Sequence, residues 1–359
     1  MDRPRVLLAA ESLCPGHGGI NRVARLLVRT LGTLIDQGEI DLAQALTLND
    51  RMLPGDLPFG GRTARGSRLR FVADVHRAAL GHTHVIYDFL GMARAHPKTP
   101  FLRRPFAVWL HGIEVWEQLR PERYAAAERA TTLFCNTHYT RDRAEHLHGG
   151  FARAEVCWLA TESNQPGPVR KGAPDPPTVL ILGTISHEQA YKGHDALIAC
   201  WPEVTRRVPD ARLMIVGSGP RLPEVQALAA ASPVAGRIEF RGFVPEPDLD
   251  AIWDQASVFA MPSRGEGFGL VYIEAMQRGI PVLASVHDAA KEINLDGETG
   301  YNVDLDRPDE LPERLIRLLD DPAHAAALGA NGRQRWAAHF THAAFVQRFS
   351  PLLRDFLAC

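Results

Sequence analysis

Short apolar runs alternate with longer amphipathic stretches along almost the whole chain, the pattern of strands buried on both faces and joined by helices. In the first half the runs predict strands at residues 5–10, 42–48, 84–87, 106–110, 132–136 and 155–159. Helical periodicity falls between them over 21–37 and 121–129. A proline- and glycine-rich stretch, "SNQPGPVRKGAPDPP" (163–177), then interrupts and reads as an interdomain linker. The alternation restarts with strands at 178–182, 212–216, 238–240, 257–261 and 281–284, and helices over 193–207, 221–231, 247–255, 269–278 and 310–319. The tail, 331–357, is helical in pattern. It carries Trp336, Phe340, Phe345 and Phe349, so it is expected to pack on something larger than itself.

Alternation of this kind predicts an α/β chain with parallel sheets. A length of 359 residues favours two domains over one. The break places the first domain at 1–165 and the second at 166–339. No internal repeat is visible.

Composition narrows the class. The chain is 45% hydrophobic and 23% charged, with no apolar run near the roughly 20 residues that span a bilayer. The apolar run at the start, 6–10, is too short for a secretory signal and begins a strand instead. Five scattered cysteines (14, 135, 157, 200, 359) form no Cys-x-x-Cys pair, so neither a disulfide framework nor a zinc site is indicated. A reducing cytoplasm is expected, including the inner face of a membrane. Net charge is −2, split as +4 over residues 1–165 and −6 beyond. Between 62 and 104 nine bases face only Asp74 and Asp88, which reads either as a solvated surface or as a patch for anionic membrane. No interleaving of bases and aromatics suggests nucleic acid, and none is expected as a partner.

In open parallel sheets ligands bind beyond the carboxyl ends of the strands. There the chain carries Gly16, Gly18 and Gly19 after the first strand and His111-Gly112 after the run 106–110. In the second half come Gly183-Thr184, Gly217-Ser218-Gly219, "RGFVPE" (241–246) and "MPSRGEGFGLVYIEAM" (261–276). In the last of these, Gly265, Gly267 and Gly269 allow close backbone approach. The amides of Phe268, Gly269, Leu270 and Val271 open a helix and suit an anion. Glu266 and Glu274 in the same stretch would repel that anion. They suit vicinal hydroxyls, which a carboxylate accepts in bidentate fashion. A ligand with phosphates in the middle and polyhydroxylated rings at its ends, such as a nucleotide diphosphate sugar, meets both requirements.

"EGFGLVYIEAMQRGIPVLAS" resembles the Glu-x7-Glu signature of retaining glycosyltransferases of the GT-B fold, family 4, the group 1 glycosyltransferases. With the glycine loop Gly18-Gly19, His111-Gly112, "YKGHDALIACWPEV", "LMIVGSGP" and "IEFRGFV" before it and "DGETGYNVDLDRP" after it in matching order, the resemblance covers nearly the whole chain. It implies two facing Rossmann-like domains with a deep interdomain cleft, and a C-terminal helix, about 340–359, that crosses back to the N-terminal domain. The first domain would bind acceptor and the second the donor.

The resemblance also assigns roles. Glu274 would grip the nucleotide ribose and Glu266 the donor sugar. Lys192 would meet the diphosphate and His111 would lie near the donor sugar. Gly18, Gly19, Gly183, Thr184, Gly217, Gly267, Phe268, Gly269, Leu270 and Val271 would line the donor. Val244 would contact the base through its main chain, and Glu246 would reach the base edge, where a carboxylate accepts from guanine. Two positions depart from the pattern. Thr184 stands in the turn where many relatives carry an arginine, and Ala160-Thr161-Glu162-Ser163 replaces the usual domain-end turn.

The implied reaction moves a hexose from a GDP- or UDP-sugar to a hydroxyl of a glycan or lipid-linked acceptor, with retention. It needs no metal site and no cofactor beyond the donor itself. Bacterial polysaccharide or glycolipid synthesis is the expected setting. Two other readings stay open. One is a nicotinamide-dependent oxidoreductase, which would need a third glycine where Asn21 stands. The other is a partner subunit of the same fold that binds nucleotide sugar without turnover.

Overall fold

The computed structural model describes residues 3–14, 18–168 and 174–359. Gly16 of the first glycine turn and 169–173 of the proline-rich stretch lie outside them. The chain divides into two compact units, Met1–Glu162 with His342–Cys359, and Ser163–Thr341.

Unit 1 is built from β1 (Arg5–Ala10), α1 (Gly19–Asp36), β2 (Leu42–Thr47), β3 (Gly61–Thr63), α2 (Arg68–Ala78), β4 (His84–Tyr87), β5 (Phe106–Leu110), α3 (Pro121–Arg129), β6 (Thr132–Cys135), α4 (His138–His148) and β7 (Glu155–Val156). Its sheet runs β3-β2-β1-β4-β5-β6-β7, parallel throughout. β4 and β5 are buried at every position, which is why they read as unbroken apolar runs rather than alternating ones.

Unit 2 repeats the plan with β8 (Thr178–Leu182), α5 (His194–Arg207), β9 (Arg212–Val216), α6 (Leu222–Ala230), β10 (Ile238–Gly242), α7 (Leu249–Trp253), β11 (Val258–Ala260), α8 (Leu270–Gln277), β12 (Val282–Ser285), α9 (Ala290–Ile293), β13 (Gly300–Val303), α10 (Glu310–Asp320) and α11 (Pro322–His339). Its sheet runs β10-β9-β8-β11-β12-β13, again parallel. The last helix, α12 (His342–Leu357), belongs to unit 1.

The helical tail is two helices broken at Phe340–Thr341, the second close to the helix implied at about 340–359, and its aromatics serve different cores. Phe268 meets Phe340 edge-on at 6.0 Å in unit 2. In unit 1, Phe349 sits edge-on to Trp109 at 5.3 Å and to Phe134 at 5.0 Å, and it stacks with Phe345 at 5.4 Å.

Other expectations shift at element ends. The strand expected over 155–159 keeps only Glu155–Val156. The helix expected over 247–255 shrinks to α7, after a 3-10 turn at Glu246–Asp248. β3 and β13 had no apolar run to announce them, since "GRT" and "GYNV" form strands only because a neighbour supplies the ladder. α4 buries only Thr140 and Ala144, so its apolar stripe is too narrow to read. The Thr137 hydroxyl, accepting the Thr140 amide at 3.2 Å, starts it instead.

Phe349 is fully buried, and truncation leaves a void between two rings that cannot close. Phe349→Ala is expected to lower the stability of unit 1 by about 3–5 kcal/mol, read by chemical denaturation.

Candidate functional site

β8 has β9 on one side and β11 on the other, so the strand order of unit 2 reverses between β8 and β11. The crossovers diverge there and leave an opening beyond the carboxyl ends. Gly183-Thr184 leave β8 at that point, and the stretch 261–269 leaves β11. The backbones are close enough to dictate glycine at 217: a Cβ there, at φ +143°, would lie 1.8 Å from the Gly183 carbonyl oxygen. The Gly217 amide donates instead to the Gly242 carbonyl at 2.8 Å.

Lys192 ends a 3-10 turn, His187–Lys192, and leads through left-handed Gly193 into α5. Its side chain folds over Gly183, with Nζ 3.3 Å from where a Cβ would stand. Nζ also lies 3.9 Å from a Glu266 carboxylate oxygen, and the two side chains are 15% and 20% exposed. The pair is thus shielded but reachable, and no bulk water layer separates the charges.

The Glu266 loop is held from several sides. The Arg264 amide donates to the Tyr191 carbonyl at 3.0 Å, and Gly265 lies under the Tyr191 ring. The Glu266 amide donates to Asp288 Oδ2 at 2.8 Å, and the Ala289 amide donates back to the Glu266 carbonyl at 3.2 Å. Gly267 follows, half-buried, and Phe268 is buried. Gly269 caps α8 in the left-handed region at φ +81°. A Cβ there would strike the Tyr272 ring at 2.2 Å, and the Tyr272 hydroxyl in turn donates to the Met261 carbonyl at 2.7 Å. Leu270 and Val271 occupy the first turn, where amides have no intrahelical acceptor. Glu274 lies one turn further on, 6% exposed. Unit 2 therefore brings together a lysine, helix-start amides and two carboxylates. The first two suit a pyrophosphate and the carboxylates suit hydroxyls.

Val244 and Glu246 follow β10, two strands from β8, half-buried and exposed respectively, next to Phe243 at 64% exposure. Thr184 is exposed. Arg221 is tied to this turn, its amide donating to the Ile185 carbonyl at 3.1 Å. Its guanidinium is engaged by Asp195 and, at 3.6 Å, by Glu224.

In unit 1 the strand order reverses between β1 and β4. Gly18, at φ +88° with open space around its Cα, precedes the first turn of α1 at Gly19, and both glycines are exposed. Glycine is needed at 18 for its dihedral, not for room. His111 leaves β5 half-buried. Its Nε2 lies 2.6 Å from the Asp88 carbonyl, which can only accept, so Nε2 carries hydrogen and Nδ1 is left as the acceptor of the neutral ring. The His111 amide donates to Glu114 Oε1 at 2.5 Å, and its carbonyl accepts from Asn136 Nδ2 at 3.2 Å. Asp88 is wholly buried, accepts the Glu11 amide at 2.9 Å, and burial pushes its carboxyl well above the usual range.

Asp88 and Asp288 were both missed as site residues. Each stands just past a strand end, where the rule that picked out His111 would also have found them. Among the described residues, His287, Asp304 and Asp306 lie within 4.8 Å of one another. His287 Nε2 already accepts the Leu305 amide at 3.0 Å, and Asp306 already holds Arg264 at 2.6 Å, so the group closes a loop and no ion is assigned to it.

Burial, reinforced by the Glu266 charge and opposed by the Ala290 and Glu266 amides, pushes the Asp288 carboxyl from 3.8 up to about 7. The folded chain then holds this proton more tightly than the unfolded one. Its contribution to stability is present at low pH and is lost as pH rises from about 4 to about 7. Asp288→Asn is expected to flatten the stability curve over that window, where one proton gives a slope of at most about 1.4 kcal/mol per pH unit. Urea midpoints of both proteins across the window check this.

Residues 169–335 match the family model described as Glycosyl transferases group 1. The GDP-mannose-dependent monoacylated alpha-(1-6)-phosphatidylinositol monomannoside mannosyltransferase of Corynebacterium glutamicum is 37% identical over 266 residues, 68% of each chain. The GDP-mannose-dependent alpha-(1-6)-phosphatidylinositol monomannoside mannosyltransferase of Mycolicibacterium smegmatis is 37% identical over 247 residues, 63% of this chain and 64% of that one. The match thus spans just under two thirds of the second relative's length. Among solved structures, Anabaena HepE in complex with UDP and glucose gives a TM-score of 0.79 at 18% identity, covering 98% of this chain and 100% of that one. Sucrose-phosphate synthase from Thermosynechococcus elongatus gives 0.81 at 21% identity, covering 99% of both. Such likenesses place the two Rossmann-like parallel-sheet units in the GT-B fold class. With a relative of this identity matched over two thirds of both chains, the chain belongs to the group 1 glycosyltransferases.

Proposed function

We propose that this chain transfers a hexose, mannose in the first instance, from a GDP-sugar to a hydroxyl of a lipid-linked acceptor, with retention and without a metal or other cofactor. The observation that carries the donor half is the Lys192–Glu266 pair, 3.9 Å apart over Gly183 at the strand-order reversal, with Glu274 on the helix that the Glu266 loop opens. The relatives' names support mannose and guanine, and Glu246 beside Val244 supplies an acceptor suited to guanine N–H groups.

In this reading Glu274 takes the ribose hydroxyls, and the α8 amides with Lys192 take the pyrophosphate. Glu266 takes hydroxyls of the sugar. As the glycosidic bond breaks, negative charge grows on the leaving phosphate, and a lysine already in place stabilises it without reorganisation. The acceptor hydroxyl attacks on the face the phosphate leaves, and a phosphate oxygen takes its proton. The protein contributes position and charge and no covalent nucleophile. His111 of unit 1, with Nδ1 left as acceptor, is suited to a hydroxyl. Thr184, standing where many relatives carry an arginine, favours a second reading, a binding subunit without turnover.

The acceptor half is proposed to come from a membrane surface. No helix among the described residues is long and apolar enough to cross one. α2 nevertheless turns Leu69, 86% exposed, and Val72 outward, while Phe71 and Val75 face the core. Phe101, 91% exposed, projects from the same span of sequence. Arg62, Arg65, Arg68, Arg70, Arg77, Arg94, Lys98 and Arg103 are exposed in that span. Of the two acids, Asp88 is buried and Asp74 is held by Arg70 and Arg77 at 3.7 and 2.9 Å. Each base near an anionic surface contributes about 1 kcal/mol.

GDP-mannose at a hundredfold excess over its dissociation constant is expected to stabilise the chain by about 2.7 kcal/mol, with UDP-glucose giving less. Glu274→Gln is expected to weaken donor binding by about 1.5–3 kcal/mol. Stabilisation by no GDP- or UDP-sugar in a thermal-shift panel would remove the assignment, and binding without transfer or hydrolysis would select the binding-subunit reading.

The chain is also expected to float with vesicles containing phosphatidylglycerol. A Leu69→Glu, Phe101→Glu variant should stay in the soluble fraction while keeping its donor affinity. Wild-type protein left entirely below the vesicles would reject the membrane contact.

A further inference from the structure

Asp288 is wholly buried in the turn between β12 and α9, an unusual place for a carboxyl unless its hydrogen bonds are needed. Its two oxygens are used on different segments. Oδ2 accepts the Glu266 amide at 2.8 Å, and Oδ1 accepts the Ala290 amide at 2.9 Å. Ser263, itself buried, hydrogen-bonds the same carboxyl and accepts the Gly265 amide at 3.1 Å. The next residue closes the arrangement: the Ala289 amide donates to the Glu266 carbonyl at 3.2 Å. Both backbone groups of Glu266 are therefore tied to one three-residue turn, and the amide before it is tied through a hydroxyl.

The ties act on a side chain with little other support. Gly265 and Gly267 flank Glu266 and give the loop its closeness of approach but no stiffness. Lys192, at 3.9 Å, is beyond hydrogen-bond range of the Glu266 carboxylate. The direction of that carboxylate is thus set from behind, by the backbone. The α8 amides and Glu274 belong to a helix whose position is fixed separately, by Tyr272 bonding Met261 and by Phe268 against Phe340.

We infer that Asp288 is a positioning residue for sugar transfer: it holds the backbone of Glu266, and hence the carboxylate that meets the donor sugar, without contributing to the grip on the nucleotide. This rests on the donor assignment made above. The arrangement separates sugar recognition from nucleotide recognition. Loosening the turn lets the Glu266 carboxylate drift, while the surfaces that hold ribose and pyrophosphate stay in place.

GDP and GDP-mannose are titrated by calorimetry into the full chain as wild type, Asp288→Asn, Ser263→Ala, Glu266→Gln and the double variant Asp288→Asn with Glu266→Gln. Asparagine keeps the shape but replaces one acceptor oxygen with a donor, which cannot face a second amide. For Asp288→Asn, GDP affinity is expected to stay within about twofold of wild type. GDP-mannose affinity or kcat/KM is expected to fall between about tenfold and about a hundredfold. Ser263→Ala should move the same quantity in the same direction by less. The double variant should be no worse toward GDP-mannose than Glu266→Gln alone, because both changes remove one interaction. Circular dichroism identifies a variant that has not folded, and Ser263→Ala then carries the comparison. Equal loss for GDP and GDP-mannose, no loss for either, or additive losses in the double variant would overturn the role of Asp288. A wild type that binds neither ligand would overturn the donor assignment itself, and this inference with it.

Discussion

A strand covered on both faces has no room for an unpaired charge, and β4, β5 and β12, buried at every position, carry no Asp, Glu, Lys or Arg. Chemistry in such a sheet is displaced to its carboxyl edge. It gathers where the strand order reverses, because the crossovers part there and leave backbone open to a ligand. In unit 2 that place is the β8–β11 junction. Lys192, Glu266 and the first turn of α8 stand within one loop of it. The glycines follow from the same constraint. Gly217 cannot carry a Cβ because the Gly183 carbonyl occupies that volume, and Gly193 cannot because the Pro262 carbonyl does.

Electrostatics decides how two acids and an anion share so small a space. Lys192 stands beside Glu266 at the loop's open side. The helix-start amides of α8 add positive potential without adding a mobile charge. Asp288 would add a third negative charge, and its burial beside Glu266 is what raises its proton affinity toward neutral pH. The same carboxyl orders the loop through the Glu266 and Ala290 amides. Unit 1 shows a parallel arrangement. Asp88 is buried at the β1–β4 reversal, tied to the Glu11 amide, and its own carbonyl fixes which nitrogen of His111 carries hydrogen. In both units a buried aspartate hydrogen-bonds a residue singled out for the site.

Particular elements show what a one-dimensional reading can reach. β1, β4, β5, β8 and β9 were legible to the residue because burial on two faces writes an unbroken apolar run. β3 and β13 were not, because their hydrogen bonds come from a neighbour and leave no trace in three or four residues of their own. The C-terminal stretch reads as helical through 331–357, and its periodicity alone does not mark the break before the last helix. Phe340–Thr341 breaks the stretch, and the two pieces pack into different cores. The nine bases against two acids were countable, yet only coordinates show that Asp88 points inward and Asp74 lies between two arginines.

By itself the sequence determined the α/β class, the order of the apolar strands, and the spacing that puts Glu266 in a glycine-rich loop and Glu274 on the helix that loop opens. These are local properties, set by hydrophobic period, backbone freedom and separation along the chain. Only the tertiary structure decided that Lys192 meets Glu266 over Gly183, that Arg221 is bound by Asp195 and Glu224, and that Asp288 holds Glu266 from 22 residues away. Those contacts depend on which strands become neighbours in the sheet. Adjacency of that kind is fixed by packing over the whole unit, so residues far apart in sequence share a site that no local pattern records.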